Sequence, residues 1–201
     1  MNGSPLLKLP LALILLRAAL GPVVVVLALA HPNNAQFATC LTLAFLSDYF
    51  DGVIARHLGI ATAGLRRLDS IADSIFYVAA LFAAWHLRSE LLVSYLPSLA
   101  ALLALEAARY AIDYRKFGKE ASYHMWSSKL WGIALFSGFF ALLVNEVAGW
   151  PVSLAIYIGL VADIEGLAIS LVLPRWQADV PTIFHAIRLR AAEASQATPS
   201  K

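Results

Sequence analysis

The stretch Ser47–Tyr77, SDYFDGVIARHLGIATAGLRRLDSIADSIFY, carries four aspartates, at positions 48, 51, 69 and 73. Apolar sequence long enough to cross a bilayer lies on both sides. A carboxylate at a membrane edge is costly unless something compensates it. The meaning of these four charges therefore decides how the rest of the chain is read.

The surrounding composition is that of a membrane protein. The chain has 201 residues, 60% of them hydrophobic and 14% charged, with a mean hydropathy of +0.72. Soluble proteins average about 25% charged residues. A net charge of +2 gives no reason to expect a nucleic-acid partner. The single cysteine, Cys40, lies in an apolar run, so no disulfide framework is expected. No convincing small-residue cleavage site follows the first apolar segment, which is therefore expected to be a retained helix.

A helix needs about 20 apolar residues to span the hydrocarbon. Six segments meet this requirement: Pro10–Ala30, Gln36–Arg56, Leu68–Trp85, Leu91–Arg109, Leu130–Val144 and Val152–Leu173. The fifth is short but flanked by Trp126, Trp131 and Trp150, as at a membrane interface. The runs are continuous, not alternating, which argues against strands. The expected fold is an all-α membrane protein with six transmembrane helices and short loops. Residues 1–175 would form the catalytic domain, and residues 176–201 a cytoplasmic tail. An interfacial helix is expected over Val180–Ala191, with a disordered polar segment after it.

With the N-terminus inside, Lys8, the Arg56–Arg67 and Arg109–Lys129 connections and the tail from Arg175 all face the cytoplasm. That places 13 of the 15 basic residues inside. Both termini and the aspartates are then cytoplasmic.

Asp48 and Asp51 are three apart near the end of the second segment; Asp69 and Asp73 are four apart at the start of the third. Either spacing puts a pair on one helical face. Antiparallel neighbouring helices would bring both pairs to one depth. Four like charges raise one another's pKa, and divalent cations relieve the repulsion. Hard oxygen donors suit Mg²⁺, Mn²⁺ or Ca²⁺, and no histidine or cysteine in the cluster argues for zinc. Gly52, Ala55, Ala61, Ala63 and Gly64 leave room for a flat ligand. Arg56, Arg66 and Arg67 can hold phosphate. Together these features suggest a nucleotide diphosphate site with metal-assisted attack on phosphorus.

The pattern Asp48-x2-Asp51-Gly52-x2-Ala55-Arg56, then Asp69-x3-Asp73, resembles the signature of the CDP-alcohol phosphotransferases, a family of integral membrane enzymes. The pattern departs at one point: its second glycine falls on Leu65, with Gly64 one place earlier. The resemblance implies that Asp48, Asp51, Asp69 and Asp73 hold one or two ions, Mg²⁺ or Mn²⁺. Asp69 and Asp73 would be catalytic, with Asp73 the general base on the acceptor hydroxyl. Gly52, Ala55, Arg56 and Gly64, together with Asp48, would contact the CDP moiety. The implied reaction transfers a phosphatidyl group from CDP-diacylglycerol to a small polyol or polyol phosphate, of the glycerol 3-phosphate or inositol phosphate type. It releases CMP and serves phospholipid synthesis. The alternative within the family transfers the phospho-alcohol group of a soluble CDP-alcohol to diacylglycerol, again releasing CMP. The layout resembles that of bacterial members, so a bacterial inner membrane is the expected location, and a homodimer is compatible with the family.

Other charges invite two readings each. The family often has an arginine followed by proline in the first helix, as with Arg17 and Pro22. Arg17 either lines the acceptor pocket or pairs with a buried acid such as Glu165. Lys129 is a candidate for an acceptor or lipid phosphate. Arg109 is another, or it pairs with Glu106 three residues earlier. Arg115, Lys116 and Lys119 fit attraction to anionic headgroups. Asp163 and Glu165 either accept protons or are neutral and hydrogen-bonded. His124 and His185 read as surface residues. A divalent-cation transporter or channel is the alternative from another class; the absence of internal repeats and the arginines beside the aspartates argue against it.

Overall fold

Long apolar runs can satisfy their backbone in lipid only by closing hydrogen bonds within each segment, as helices do. The computed structural model describes residues 8–197, and helices are what form there. They are α1 (Leu9–Ala30), α2 (Asn34–His57), α3 (Ala63–Leu92), α4 (Leu96–Phe117), α5 (Trp126–Leu143), α6 (Trp150–Val172) and α7 (Ile183–Ala197). A 3₁₀ turn, Val93–Tyr95, joins α3 to α4. Among the described residues there is no strand, only a single bridge between Ser122 and Ala178.

Among the described residues, five stretches are long and apolar enough to cross a membrane: Leu9–Ala30, Asn34–His57, Gly64–Phe117, Trp126–Leu143 and Trp150–Val172. The third contains both α3 and α4 and is interrupted at Arg88, whose φ of −139° and ψ of 35° are not helical. Leu15, Val26 and Val78 are 59%, 60% and 68% exposed within the protein, a surface that lipid, not water, would cover.

Helix ends depart from the expected bounds for local reasons. Thr62 caps α3 by accepting from the Leu65 amide at 3.2 Å, so α3 starts at Ala63, before Leu68. Likewise α4 runs on through Arg115 and Lys116 to Gly118, whose φ of 69° ends it in the left-handed cap geometry that glycine tolerates. Much of the expected Arg109–Lys129 connection is therefore helix. The tail helix is longer than expected, reaching Ala197, so the polar segment begins as helix; residues 198–201 lie outside the described residues.

The chain divides into two compact units. One comprises the residues up to Val93 with Phe136–Gly149; the other comprises Ser94–Leu135 and the residues from Trp150 on. In the first, α1 packs along both α2 and α3, far more than those two pack on each other. Its buried stripe reads Ile14, Arg17, Gly21, Val24, Ala28, at helical spacing. At Gly21 an added Cβ would lie 3.0 Å from Ile75 Cγ2 and 3.2 Å from the Ile75 carbonyl oxygen, so this glycine permits close approach of α1 to α3. Small residues on α3, Ala72, Ala79, Ala80 and Ala83, are buried as well. The far end is tied by Asn34 Nδ2, which donates to Val144 O and Glu146 Oε1, each at 3.0 Å, and by Arg88 on Glu146 at 2.7 Å.

In the second unit α4 packs on α6, and α6 on α7. Lys116 Nζ donates to the carbonyls of Ser170 and Leu171 at 2.7 and 2.9 Å, satisfying acceptors at the C-terminal end of α6. Tyr123, Met125, Ile169, Leu173, Val180 and Ala186 form the apolar cluster beneath α7.

Candidate active site

The last turns of α2 and the first turns of α3 put the aspartates at one end of the first unit. On α2 the buried stripe runs through Ala44, Ser47, Asp51 and Ala55, so Asp51 faces inward and Asp48 lies at its margin. Asp69 and Asp73 stand one helical turn apart on α3. The four carboxylates do converge, and what they converge on is Arg17 of α1. Its side chain is 1% exposed. Nη1 donates to Asp48 Oδ1 at 2.5 Å and lies 3.0 Å from Asp73 Oδ1. Nη2 donates to Asp51 Oδ2 at 2.9 Å and to Asp69 Oδ1.

Arg17 thus has four acid partners, all from α2 and α3. Glu165, named as a candidate partner from sequence, accepts instead from Ser127 Oγ at 2.6 Å and from the Ile183 amide at 3.3 Å, within the second unit. The sequence also placed α2 directly beside α3. In the structure α1 is the principal neighbour of both and brings its cation with it.

Four carboxylates and one guanidinium sum to three negative charges when all are ionised. Among the described residues, oxygens of Asp48, Asp51 and Asp69 lie within 4.8 Å of one another. Oxygens bound to one Mg²⁺ or Ca²⁺ at about 2.0–2.6 Å are separated by at most about 4–5 Å. Both the spacing and the all-oxygen donor set therefore fit a hard divalent cation. Asp73 is outside that trio and touches the same guanidinium nitrogen as Asp48.

Around the cluster, Ala55 is buried and Arg56 exposed. The Arg56 guanidinium folds back over Gly52, where an added Cβ would come within 3.1 Å of Nη1. Gly64 is exposed, and a Cβ there would meet nothing within 4 Å. Position 65 lies in the first turn of α3 and has no positive φ. A leucine is conformationally ordinary there, which accounts for its standing at the signature's second glycine.

The remaining candidates are in the second unit. Arg109 lies 3.1 Å from Asp163 Oδ1 and 4.0 Å from Glu106, so its nearer partner is the buried acid on α6, not the local one. A Cβ at Gly166 would meet Arg109 Cδ at 3.0 Å, so that glycine makes room for the arginine. Lys129 is exposed, with Nζ 4.2 Å from the centroid of the Trp126 ring. Lys119 sits 3.4 Å over Trp176. His124 and His185 are exposed, and His124 pairs with Asp179 at 3.0 Å. Sequence reading missed a buried network: Ser170 Oγ bonds Asp113 and lies 2.9 Å from the Tyr123 hydroxyl. Asp113 stands in DYRKF, which resembles an exposed basic loop; its one signal was helical spacing from Arg109.

Comparison with curated proteins gave no match, and comparison with solved structures gave none. Residues 7–164 match the family model described as CDP-alcohol phosphatidyltransferase. That match covers the aspartate-bearing helices and most of the chain, and with its long apolar helices this integral membrane protein belongs to the CDP-alcohol phosphatidyltransferase family.

Proposed function

We propose that the protein transfers a phosphatidyl group from CDP-diacylglycerol to a hydroxyl of a small polyol or polyol phosphate, of the glycerol 3-phosphate or inositol phosphate type, and releases CMP. The convergence of four carboxylates from α2 and α3 in a chain of this family carries the reading. Asp48, Asp51 and Asp69 would hold Mg²⁺ or Mn²⁺, with Asp73 completing the site. When bound, the ion draws charge from the diphosphate.

The chain's own residues account for the rest. Asp73 accepts the proton of the acceptor hydroxyl, whose oxygen forms a bond to the phosphorus distal to cytidine. The bond from that phosphorus to the bridging oxygen breaks, and CMP leaves with the electron pair. A positioned base contributes about 10²–10⁴-fold, so alignment of the reactants must supply much of the remainder. Gly52, Ala55 and Gly64 leave space for the cytidine side, and the exposed Arg56 can swing from Gly52 to a phosphate. Lys129 remains a candidate for the acceptor or lipid phosphate. Arg109 is a weaker one, because Asp163 already neutralises it.

The membrane arrangement belongs to the same reading. Residues 1–175 form the catalytic domain and residues 176–201 a cytoplasmic tail. The stretch Gly64–Phe117 crosses twice, since 54 helical residues would extend far beyond one bilayer thickness of about 30 Å. The aspartate end faces the cytoplasm, of a bacterial inner membrane, by the basic-residue bias.

Purified protein with CDP-diacylglycerol, Mn²⁺ or Mg²⁺ and a panel of acceptors should release CMP, and Asp69→Asn should abolish the release. Full activity in that variant would defeat the metal reading. Release that requires diacylglycerol and a soluble CDP-alcohol would instead select the other direction of transfer.

A further inference from the structure

Arg17 stands where the three carboxylates of the metal reading meet. Asp48, Asp51 and Asp69 each touch its guanidinium, and so does Asp73. Each contact takes one oxygen of its carboxylate, within the same cluster that an ion would have to enter. A planar guanidinium draws carboxylates to separate nitrogens along its edge, whereas a metal draws oxygens to a point. Both cannot be satisfied at once by the same lone pairs, and two cations a few ångströms apart repel. A second observation concerns the arm itself. Arg17 Nε is buried and has no hydrogen-bond partner, so the group is held by its terminal nitrogens alone.

We propose that Arg17 is a built-in competitor of the divalent ion: its guanidinium gathers the four carboxylates, offsets part of their charge, and must withdraw from them as the ion enters. Arg17 is then a positioning residue. It keeps four acids together before loading, and it sets the ion concentration at which the site fills. This rests on the metal reading proposed above.

The test is Mn²⁺ binding to the purified full chain in detergent, followed by the electron paramagnetic resonance of free Mn²⁺, without substrate or turnover. Removing the competing charge in Arg17→Gln should tighten Mn²⁺ binding by about tenfold or more. Arg17→Lys, whose compact ammonium reaches fewer carboxylates, should fall between that variant and the wild type. A folded Arg17→Gln protein that binds Mn²⁺ no more tightly than wild type overturns the proposal and leaves the metal reading standing. Absence of binding in wild type and variants alike defeats the metal reading itself.

If Arg17→Gln does not fold, the wild type decides. Phenylglyoxal labelling, read peptide by peptide, should modify Arg17 several-fold faster with Mn²⁺ than without, because the released guanidinium loses its four partners. An equal or slower rate with Mn²⁺ overturns the proposal.

Discussion

Enlarging Gly21 tests whether the approach of α1 to α3 sets the geometry of the acid cluster. A Cβ at this position would sit 3.0 Å from Ile75 Cγ2 and 3.2 Å from the Ile75 carbonyl oxygen. Relaxed carbon contacts are about 3.5–4.0 Å, so the first added carbon is already short by about 0.5–1 Å against the methyl. The Ile75 side chain can rotate away, but its carbonyl belongs to the α3 backbone and cannot. Gly21→Ala should be mild, because the overpacking is offset by the roughly 0.5–1 kcal/mol that alanine gains over glycine in a helix. Gly21→Val adds two further carbons and should cost about 1–3 kcal/mol. Relief requires α1 to draw back by about 1 Å, enough to push typical hydrogen bonds out of range.

Arg17 lies one turn earlier on the same stripe, and its contact to Asp73 of α3 is 3.0 Å, so it would stretch past hydrogen-bonding distance. A misplacement of about 1 Å at a reacting centre costs about 10²-fold. The assays are thermal unfolding in detergent and CMP release. Gly21→Val should lower Tm by several degrees, at about 2–4 °C per kcal/mol for a chain of this size, and slow release about 100-fold. Wild-type values for both would refute the packing argument. A lowered Tm with an unchanged rate would refute the link from packing to site.

The other expected outcomes separate roles within the molecule. Asp73→Asn should leave Mn²⁺ binding largely intact and lower CMP release by about 10²–10⁴-fold, the range for a lost general base; loss of Mn²⁺ binding would make Asp73 a ligand first. Arg109→Ala leaves the Asp163 carboxylate buried without its partner and should destabilise the protein by about 3–5 kcal/mol. Adding Asp163→Ala should restore much of that loss in thermal unfolding, and no restoration would show that the pair is not coupled. Leu65→Gly should leave CMP release unchanged and cost about 0.5–1 kcal/mol in stability, because α3 demands no glycine there. A gain in activity would instead tie the position to the nucleotide.

The aspartates were legible because spacings of three and four fix a helical face from local sequence alone. The helices were legible because apolar runs in lipid admit little else. Their ends were harder: the first turn of α3 capped by Thr62, the basic last turn of α4 and the polar end of α7 are helix that a hydropathy reading treats as loop. The partner of Arg17 could not be read at all, since its acids lie 31 to 56 residues away and only the fold brings them to α1. A trace of it was present. Ile14, Arg17, Gly21, Val24 and Ala28 make one stripe, and an arginine on the same face as a glycine belongs to a close helix contact more readily than to lipid.

The depth of the cluster ties the chemistry to the membrane. Arg17 is eight residues into α1; Asp51 and Asp48 are six and nine residues from the end of α2; Asp69 and Asp73 are six and ten residues into α3. At 1.5 Å per residue all five lie about 9–15 Å along their helices from a common end. A hydrocarbon core about 30 Å thick would be reached from that end no further than its middle. This is a level at which a diphosphate can descend while its acyl chains stay in lipid, and at which an acceptor can arrive from water. A site any nearer the helix ends would sit among water that screens it, and one much deeper would be closed to a polyol. On the proposed reading a lipid-anchored donor and a soluble acceptor meet at this level, which neither a purely structural ion pair nor a mid-membrane pore requires.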